Sequence, residues 1–427
     1  MPQKKKKAND TKKSIVVLGA GFAGLQVVRE LSDRLKKTHD IILIDENDVH
    51  IYTPDLYEIA TAYNEKINPV CLTKLKDTVA TPIASLINKR RVTFIKARVS
   101  KIDPHKKQLT LSHHGEIEYD YLVVALGSVT NYYNIPGLEE HSLPLKTMAD
   151  SLAINCHLDY HFHKLWEEKK KRTSVDIIIG GGGFTGVEFA SELPGCIKKI
   201  CKKFNYPRSA VHITIIEGGE YFLGDDKKLS KLVSRRLYEC GIIVRLQSYI
   251  TKVTDEYVYV KHGGKEQLLP ADMVFWTGGV KPNPLVAQSF EEVNKRGALQ
   301  VNEFLQLSRH PEVFAGGDNA EIIDYATGKP VPMLAQLAFE QGKLIARNIA
   351  TAIENENLKR YRPKYRGFIV PLGGKYAIWK TNSHIFKGRW CWYLRRLVDL
   401  KYALSILPFW YALKKWLHDT NVFVGND

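Results

Sequence analysis

Two glycine-rich loops, each set between a short β-branched run and a helical pattern, predict an α/β chain with two Rossmann-like dinucleotide-binding domains. Each loop is followed by a second β-branched run that ends in an acid, the arrangement a doubly wound domain uses beside a ribose. A C-terminal stretch rich in aromatic and basic residues adds an amphipathic region. The length, 427 residues, exceeds what one hydrophobic core serves, so two domains and an extension fit it.

The chain begins MPQKKKKANDTKK, which carries six lysines and no apolar stretch behind them, so a basic tail over residues 1–13 is expected and not a secretory signal. A solvated tail is the plain reading, and an electrostatic membrane tether the alternative. Lys and Arg total 62 against 46 Asp and Glu; this excess favours an anionic partner, whether nucleotide phosphates, nucleic acid or lipid headgroups. No recognisable nucleic-acid module accompanies the charge. The 44% hydrophobic content is that of an ordinary globular chain. Six cysteines form no C-x-x-C pair, which argues against a zinc ribbon and a thioredoxin-type dithiol and suits a reducing compartment.

The first loop is Ser14-Ile-Val-Val-Leu-Gly-Ala-Gly-Phe-Ala-Gly24. Gly19 allows the tight turn, Gly21 lets the backbone approach a pyrophosphate, and Gly24 lets helix and strand pack closely. The helix N-terminus supplies N–H donors and a positive dipole end. The next strand, Ile41-Ile-Leu-Ile, ends in Asp45, 21 residues past Gly24, where an acid holds ribose hydroxyls.

The pattern returns at Val175-Asp-Ile-Ile-Ile-Gly-Gly-Gly-Gly-Phe-Thr-Gly186, followed by a helix that continues through CIKKICKKF, and then by Val211-His-Ile-Thr-Ile-Ile and Glu217. Gly181, Gly183 and Gly186 take the three glycine roles. Glu217 is followed by Gly218-Gly219-Glu220 and not by arginine, so a 2′-phosphate would meet negative charge, and NADH is favoured over NADPH. Two such loops hold either two nicotinamides or one nicotinamide and one flavin.

A third segment, Glu312-Val-Phe-Ala-Gly-Gly-Asp-Asn319, has the A-G-D form seen in flavoproteins with two dinucleotide-binding domains, where the Asp meets the FAD ribityl chain. From about Ser14 to about Leu417 the chain resembles the type II NADH dehydrogenases, single-subunit, non-pumping NADH:quinone oxidoreductases of respiratory electron transport. The resemblance is carried by His50-Ile-Tyr-Thr-Pro-Asp-Leu-Tyr-Glu-Ile-Ala-Thr, Ala125-Leu-Gly-Ser128, Gly183-Phe-Thr-Gly-Val-Glu188, Trp276-Thr-Gly-Gly-Val-Lys-Pro-Asn283 and Ala335-Gln-Leu-Ala-Phe-Glu-Gln341.

It implies FAD on Gly19, Gly21, Gly24, Asp45, Ala125, Gly127 and Asp318, and NADH on Gly181, Gly183, Gly186 and Glu217. It implies a catalytic role for Glu188, whose carboxylate would orient the nicotinamide carboxamide or relay a proton; a first-turn acid complementing the helix dipole is the plainer reading. The family's quinone motif, A-Q-x-A-x-Q, is met by Gln336 in its first glutamine position. Its second holds Glu340, with Gln341 next to it, a departure that changes the charge at the quinone.

Rival chemistries fit less well. A redox disulfide of the glutathione reductase kind needs its cysteines just after the first ribose strand, where this chain has HIYTPDLYEIA. Cys196 and Cys201 follow the second loop instead, and on a helix five residues turn about 500°, to different faces. A sulfide:quinone oxidoreductase has no need of the second loop and its acid, and a soluble NADH-dependent reductase with a protein or disulfide acceptor would lack the aromatic C-terminus. A non-enzymatic nucleotide-binding interaction protein would purify without FAD. His157 and His161 stand one helical turn apart but lack a third ligand at a supporting position, so no metal is expected.

From Arg389 to Leu417 the sequence reads RWCWYLRRLVDLKYALSILPFWYALKKWL. Its longest uncharged run, 402–413, is 12 residues and contains Pro408, well short of the roughly 20 that span a bilayer. Apolar residues at 390, 394, 397, 400, 404, 407 and 411 keep a helical stripe, which predicts an interfacial helix, or two joined near Pro408, with tryptophans and arginines at headgroup level. The same stripe would also serve for packing on its own domain or in a homodimer. The expected organisation is therefore an FAD domain over 14–150 and 281–350, an NADH domain over 151–280 and a membrane-associating region over 351–427. The expected location is peripheral, on the cytoplasmic face of the cell membrane, with no path for proton pumping.

Overall fold

The computed structural model describes residues 13–35, 39–63, 71–167 and 174–424; the lysine-rich tail before Lys13 lies outside them. The chain divides into two compact units.

The first unit gathers residues up to His50 with Thr81–Val129 and Lys281–Lys364. Its parallel sheet has the order Val313–Ala315, Tyr121–Val124, Lys13–Leu18, His39–Asp45, Val92–Lys96. Ile15, Val16, Val17 and Leu18 are fully buried, as expected for a central strand covered on both faces. That strand leads into the first loop and the helix Phe22–Arg34, which buries Ala23, Leu25, Val27, Val28 and Leu31. The helix packs on Ala335–Ile353, and the crossing is close: a Cβ at Gly342 would lie 2.4 Å from the Ala23 carbonyl oxygen.

The second unit comprises Ile51–Ala80, Thr130–Val280 and residues from Tyr365 onward. Its parallel sheet, in the order Leu143–Pro144, Met273–Trp276, Val175–Gly180, Val211–Ile216, Ile242–Arg245, repeats the plan of the first. The central strand again feeds a glycine loop, then the helix Phe184–Lys203, which continues through the cysteine segment as the sequence predicts. Cys196 and Cys201 are both buried, because this helix is covered on more than one side, and neither is in a disulfide; burial pushes their thiols up to about 12 and about 11.

The C-terminal part of the second unit is a three-stranded antiparallel sheet, Phe368–Pro371, Ala377–Lys380 and Ile385–Gly388, followed by helices Arg389–Ile406 and Phe409–Val424. The break falls at Leu407-Pro408. Among the described residues no helix is long and apolar enough to cross a membrane. The expected stripe faces solvent at Trp390, Leu397, Leu404 and Tyr411, joined by Tyr393, Phe409 and Trp410, the last 76% exposed.

The expectation of arginines and tryptophans at headgroup level is corrected for three residues. Trp392, Arg395 and Arg396 are buried. Arg395 pairs with Asp55 at 2.9 Å and with Asp399, and Arg396 pairs with Glu58 at 3.0 Å. The Trp416 indole donates to the Arg396 carbonyl at 2.6 Å, fastening the last helix to the one before it. Lys415 fastens it again, donating to the carbonyls of Asp77 and Thr78.

Removing one member of a buried ion pair leaves its partner uncompensated. Arg396→Met should therefore cost about 3–5 kcal/mol in chemical denaturation. Trp390→Ser, on the solvent side of the same helix, should stay within about 0.5 kcal/mol. Equal losses in the two variants would contradict this account of what fastens the helix.

Candidate functional site

In the first loop Gly19 holds φ +94° and donates to the Ile44 carbonyl at 2.8 Å. A Cβ on Gly19 would lie 2.2 Å from the Ala125 oxygen, and one on Gly24 would lie 1.9 Å from the Gly19 oxygen. Both positions admit only hydrogen. Gly21 differs, because a Cβ there would meet nothing within 4 Å. It is the N-cap of Phe22–Arg34 and offers no side-chain cap, so first-turn N–H groups are left for something else to satisfy.

Asp45, at the end of the neighbouring strand, is aligned by two backbone donors. Its Oδ2 accepts from Ala20 N at 2.7 Å and its Oδ1 from Asn47 N at 2.8 Å. Buried His50 braces the same turn through Nδ1, 2.8 Å from the Ala20 carbonyl, and burial lowers its proton affinity.

Asp318 belongs to this unit as well. Ser128 Oγ donates to its Oδ2 at 2.5 Å. The next residue, Asn319, is fully buried; its amide oxygen accepts from Leu126 N at 2.7 Å and Gly127 N at 3.0 Å, and its nitrogen donates to the Gly127 carbonyl at 2.8 Å. The structure thus brings Gly19, Gly21, Gly24, Asp45, Ala125, Gly127 and Asp318 together in one unit. Asn319 is the clamp between two of these segments that sequence reasoning missed; a polar residue directly after the acid was its only signal.

The second loop repeats the geometry. Gly181 has φ +105° and donates to the Ile216 carbonyl at 2.8 Å. A Cβ on Gly186 would lie 1.9 Å from the Gly181 oxygen, whereas one on Gly183 would again meet nothing within 4 Å. Gly183 likewise caps its helix without a side chain. Glu217 accepts from Gly182 N at 2.5 Å and Gly219 N at 2.6 Å. Thr277 Oγ1 donates to the carbonyls of Gly180 and Gly181, a support the sequence did not disclose. Both loops fit a pyrophosphate-bridged dinucleotide: an open glycine face, unsatisfied helix N–H groups and an aligned acid.

Glu188 lies one turn into Phe184–Lys203, in the second unit. Burial pushes its carboxyl up to about 8; Arg395 opposes the shift, Asp55 and Glu58 reinforce it, and Arg396 opposes it more weakly. Glu188 is the fifth residue of the helix and lies past its first turn, which holds no acid, so the expected first-turn pairing with the helix dipole is not met.

Gln336 and Glu340 lie one turn apart on Ala335–Ile353, Gln336 exposed and Glu340 partly so. Gln341 is committed elsewhere. It is buried, and its Oε1 accepts from Gly317 N at 2.7 Å, holding the turn that presents Asp318.

Residues 13–342 match the family described as pyridine nucleotide-disulphide oxidoreductase. The chain is similar to the type II NADH:quinone oxidoreductase of Staphylococcus epidermidis, 30% identical over 413 residues, covering 96% of this chain and 99% of the relative. The corresponding Staphylococcus aureus protein is 29% identical over 412 residues, with 96% and 99% covered. Among solved structures, Plasmodium falciparum NDH2 in complex with NADH has a TM-score of 0.78 at 18% identity, over 97% of this chain and 98% of that one. The sulfide:quinone oxidoreductase of Aquifex aeolicus has a TM-score of 0.75 at 22% identity, over 94% and 92%.

The close glycines carry a stability consequence. Gly24→Ala and Gly186→Ala each force backbone apart at a packed turn and should cost about 1–3 kcal/mol in the ligand-free protein, read as a lowered thermal midpoint. An unchanged midpoint in both would mean that helix and strand are not held at the distances described.

Proposed function

Because this chain belongs to the type II NADH:quinone oxidoreductases within the pyridine nucleotide-disulphide oxidoreductase family, we propose that its first loop binds FAD and its second binds NADH. FAD is held by Gly19, Gly21, Gly24, Asp45, Ala125, Gly127 and Asp318, and NADH by Gly181, Gly183, Gly186 and Glu217. The protein is an FAD-dependent enzyme that oxidises NADH and reduces a quinone. The observation that carries the assignment of sites is the pair of open glycines, Gly21 and Gly183, each beside an acid aligned by backbone N–H groups.

When bound, the flavin supplies the two-electron relay, accepting hydride from NADH and yielding electrons to the quinone. The protein's own residues do the rest. The helix N-termini at Gly21 and Gly183 bind pyrophosphate. Glu217, with both oxygens engaged by backbone donors, turns its charge toward the ribose and disfavours a 2′-phosphate. Glu188 keeps its carboxyl proton through neutral pH, which suits it to donate a hydrogen bond to the carboxamide and to relay a proton. Gln336 and Glu340 face the quinone, Glu340 as a hydrogen-bond acceptor for the quinol.

The solvent-facing aromatics Trp390, Tyr393, Phe409, Trp410 and Tyr411 form the membrane-docking face, with Arg389, Lys401 and Lys414 exposed beside them to meet anionic lipid. Docking is peripheral, on the cytoplasmic face, where a quinone with an isoprenoid tail is dissolved.

Anaerobic NADH should bleach the yellow protein, and a short-chain quinone should restore the colour. Glu188 acts in its protonated form, so the wild-type rate should hold at neutral pH and fall as pH rises through about 8. Glu188→Gln should lose about 10²-fold in kcat and lack that limb. Bleaching without reoxidation by any quinone would move the acceptor to a protein or disulfide. The triple variant Phe409→Ser/Trp410→Ser/Tyr411→Ser should bind anionic vesicles at least about ten-fold more weakly and still be bleached by NADH at the wild-type rate. Undiminished vesicle binding would remove this face from the docking surface.

A further inference from the structure

The second loop and its acid serve the pyrophosphate and the adenosine ribose of NADH, and neither touches the base that the ribose carries. That base hangs one sugar away from the Glu217 carboxylate, so its partner must lie beside the acid. In the sheet of the second unit Val211–Ile216 pairs with Ile242–Arg245, and the chain beyond Arg245 stays next to the acid. Glu217 N donates to the Arg245 carbonyl at 2.8 Å, Ser248 N to the Glu217 carbonyl at 3.0 Å, and Gln247 N to the Gly219 carbonyl at 3.0 Å. Three main-chain bonds thus fix the start of the strand Ser248–Val253 against Glu217-Gly218-Gly219.

Ser248 and Ile250 are buried, and strand alternation turns Tyr249 to the opposite face. Its ring rests on Gly218: a Cβ there would lie 2.6 Å from Tyr249 Cε1 and 2.9 Å from Cδ1. Gly218 is outside the left-handed region, so its backbone does not demand glycine; the space taken by the ring does. The tyrosine is nevertheless 60% exposed. A ring backed by main chain and open to solvent gives up little freedom when a second ring lies on it, which makes it a stacking platform.

The other aromatic residues close to the acid in sequence are placed differently. Phe222 is fully buried, and a Cβ on Gly182 would lie 2.5 Å from its Cδ1, so it fills the space under the loop. The Tyr221 hydroxyl donates to Glu220 Oε1 at 2.5 Å. Tyr249 is the one of the three with an exposed ring seated on the residue that adjoins Glu217.

We propose that Tyr249 is a binding residue for NADH, the platform on which the adenine base stacks, and that position 218 is glycine so that the ring can lie there. This rests on the reading of the second loop as the NADH site. It adds a contact for the half of the dinucleotide that does not react, so its effect falls on affinity and not on hydride transfer.

The test is calorimetric titration of the oxidised holoenzyme with ADP-ribose, which carries the adenosine and the pyrophosphate but no nicotinamide. Tyr249→Thr keeps a β-branched residue in the strand and removes the ring; it should weaken ADP-ribose binding about ten-fold, and Tyr249→Phe should bind like the wild type. Tyr221→Thr should change nothing. In anaerobic bleaching, Tyr249→Thr should need about ten-fold more NADH for half-maximal rate, while its response to reduced nicotinamide mononucleotide, which lacks the adenosine, stays that of the wild type. Gly218→Ala should displace the ring and weaken ADP-ribose binding, with no further loss when combined with Tyr249→Thr. Unchanged ADP-ribose binding in Tyr249→Thr, an equal loss with the mononucleotide, or a loss in Tyr221→Thr alone overturns the proposal. Gly183→Ala separates the two claims. If it abolishes ADP-ribose binding and Tyr249→Thr does not weaken it, the platform alone falls; if it leaves binding intact, the second loop is not the NADH site.

Discussion

The contact on which each nucleotide site depends is the approach of a helix to the strand that precedes it, at a distance that admits only hydrogen on the α-carbon. A Cβ on Gly24 or Gly186 would sit 1.9 Å from the carbonyl oxygen of the first glycine of the loop. Close packing at those two points aims the first turn of each helix outward, and the middle glycine, with nothing above it, leaves the turn open. The acids follow from the same geometry. Asp45 and Glu217 each accept from a backbone N–H of the loop itself, so the acid at the strand end locks that strand to the loop proposed to bind phosphate.

A second constraint governs the C-terminal helices. Two adjacent arginines in the interior are costly unless each meets carboxylates, and here the carboxylates come from Asp55, Glu58 and Asp399. Pairing the charges inward turns the aromatic residues outward. The outward face is what the membrane proposal uses and the inward face fastens the helix to Asp55 and Glu58, so one helix serves both through opposite sides.

The parts of the fold legible in the sequence are those set by local backbone demands. A left-handed turn needs Gly19 or Gly181, a close crossing needs Gly24 or Gly186, and an acid at a strand end marks the ribose side; all lie within short sequence windows. The break at Pro408 was legible for the same reason. Partners drawn from distant segments were not. Arg395 and Arg396 read as surface cations because two of their three compensating acids, Asp55 and Glu58, lie about 340 residues away. Beyond being a polar residue directly after the acid, Asn319 gave no sign that it ties Leu126 and Gly127, and Gln341, next to the quinone motif in sequence, is placed in the fold by its bond to Gly317 N. The cysteines show the limit of helical arithmetic: turning about 500° separates two faces, yet a helix covered on several sides buries both.

We propose that two loops of like geometry hold different nucleotides. It is tested most directly by placing a methyl on each open glycine and measuring flavin content and NADH binding separately. Gly21→Ala should purify colourless and still bind NADH, while Gly183→Ala should purify yellow with one FAD per chain and remain unbleached by NADH at concentrations that saturate the wild type. A yellow Gly21→Ala protein, or rapid bleaching of Gly183→Ala, would contradict the assignment of the loops.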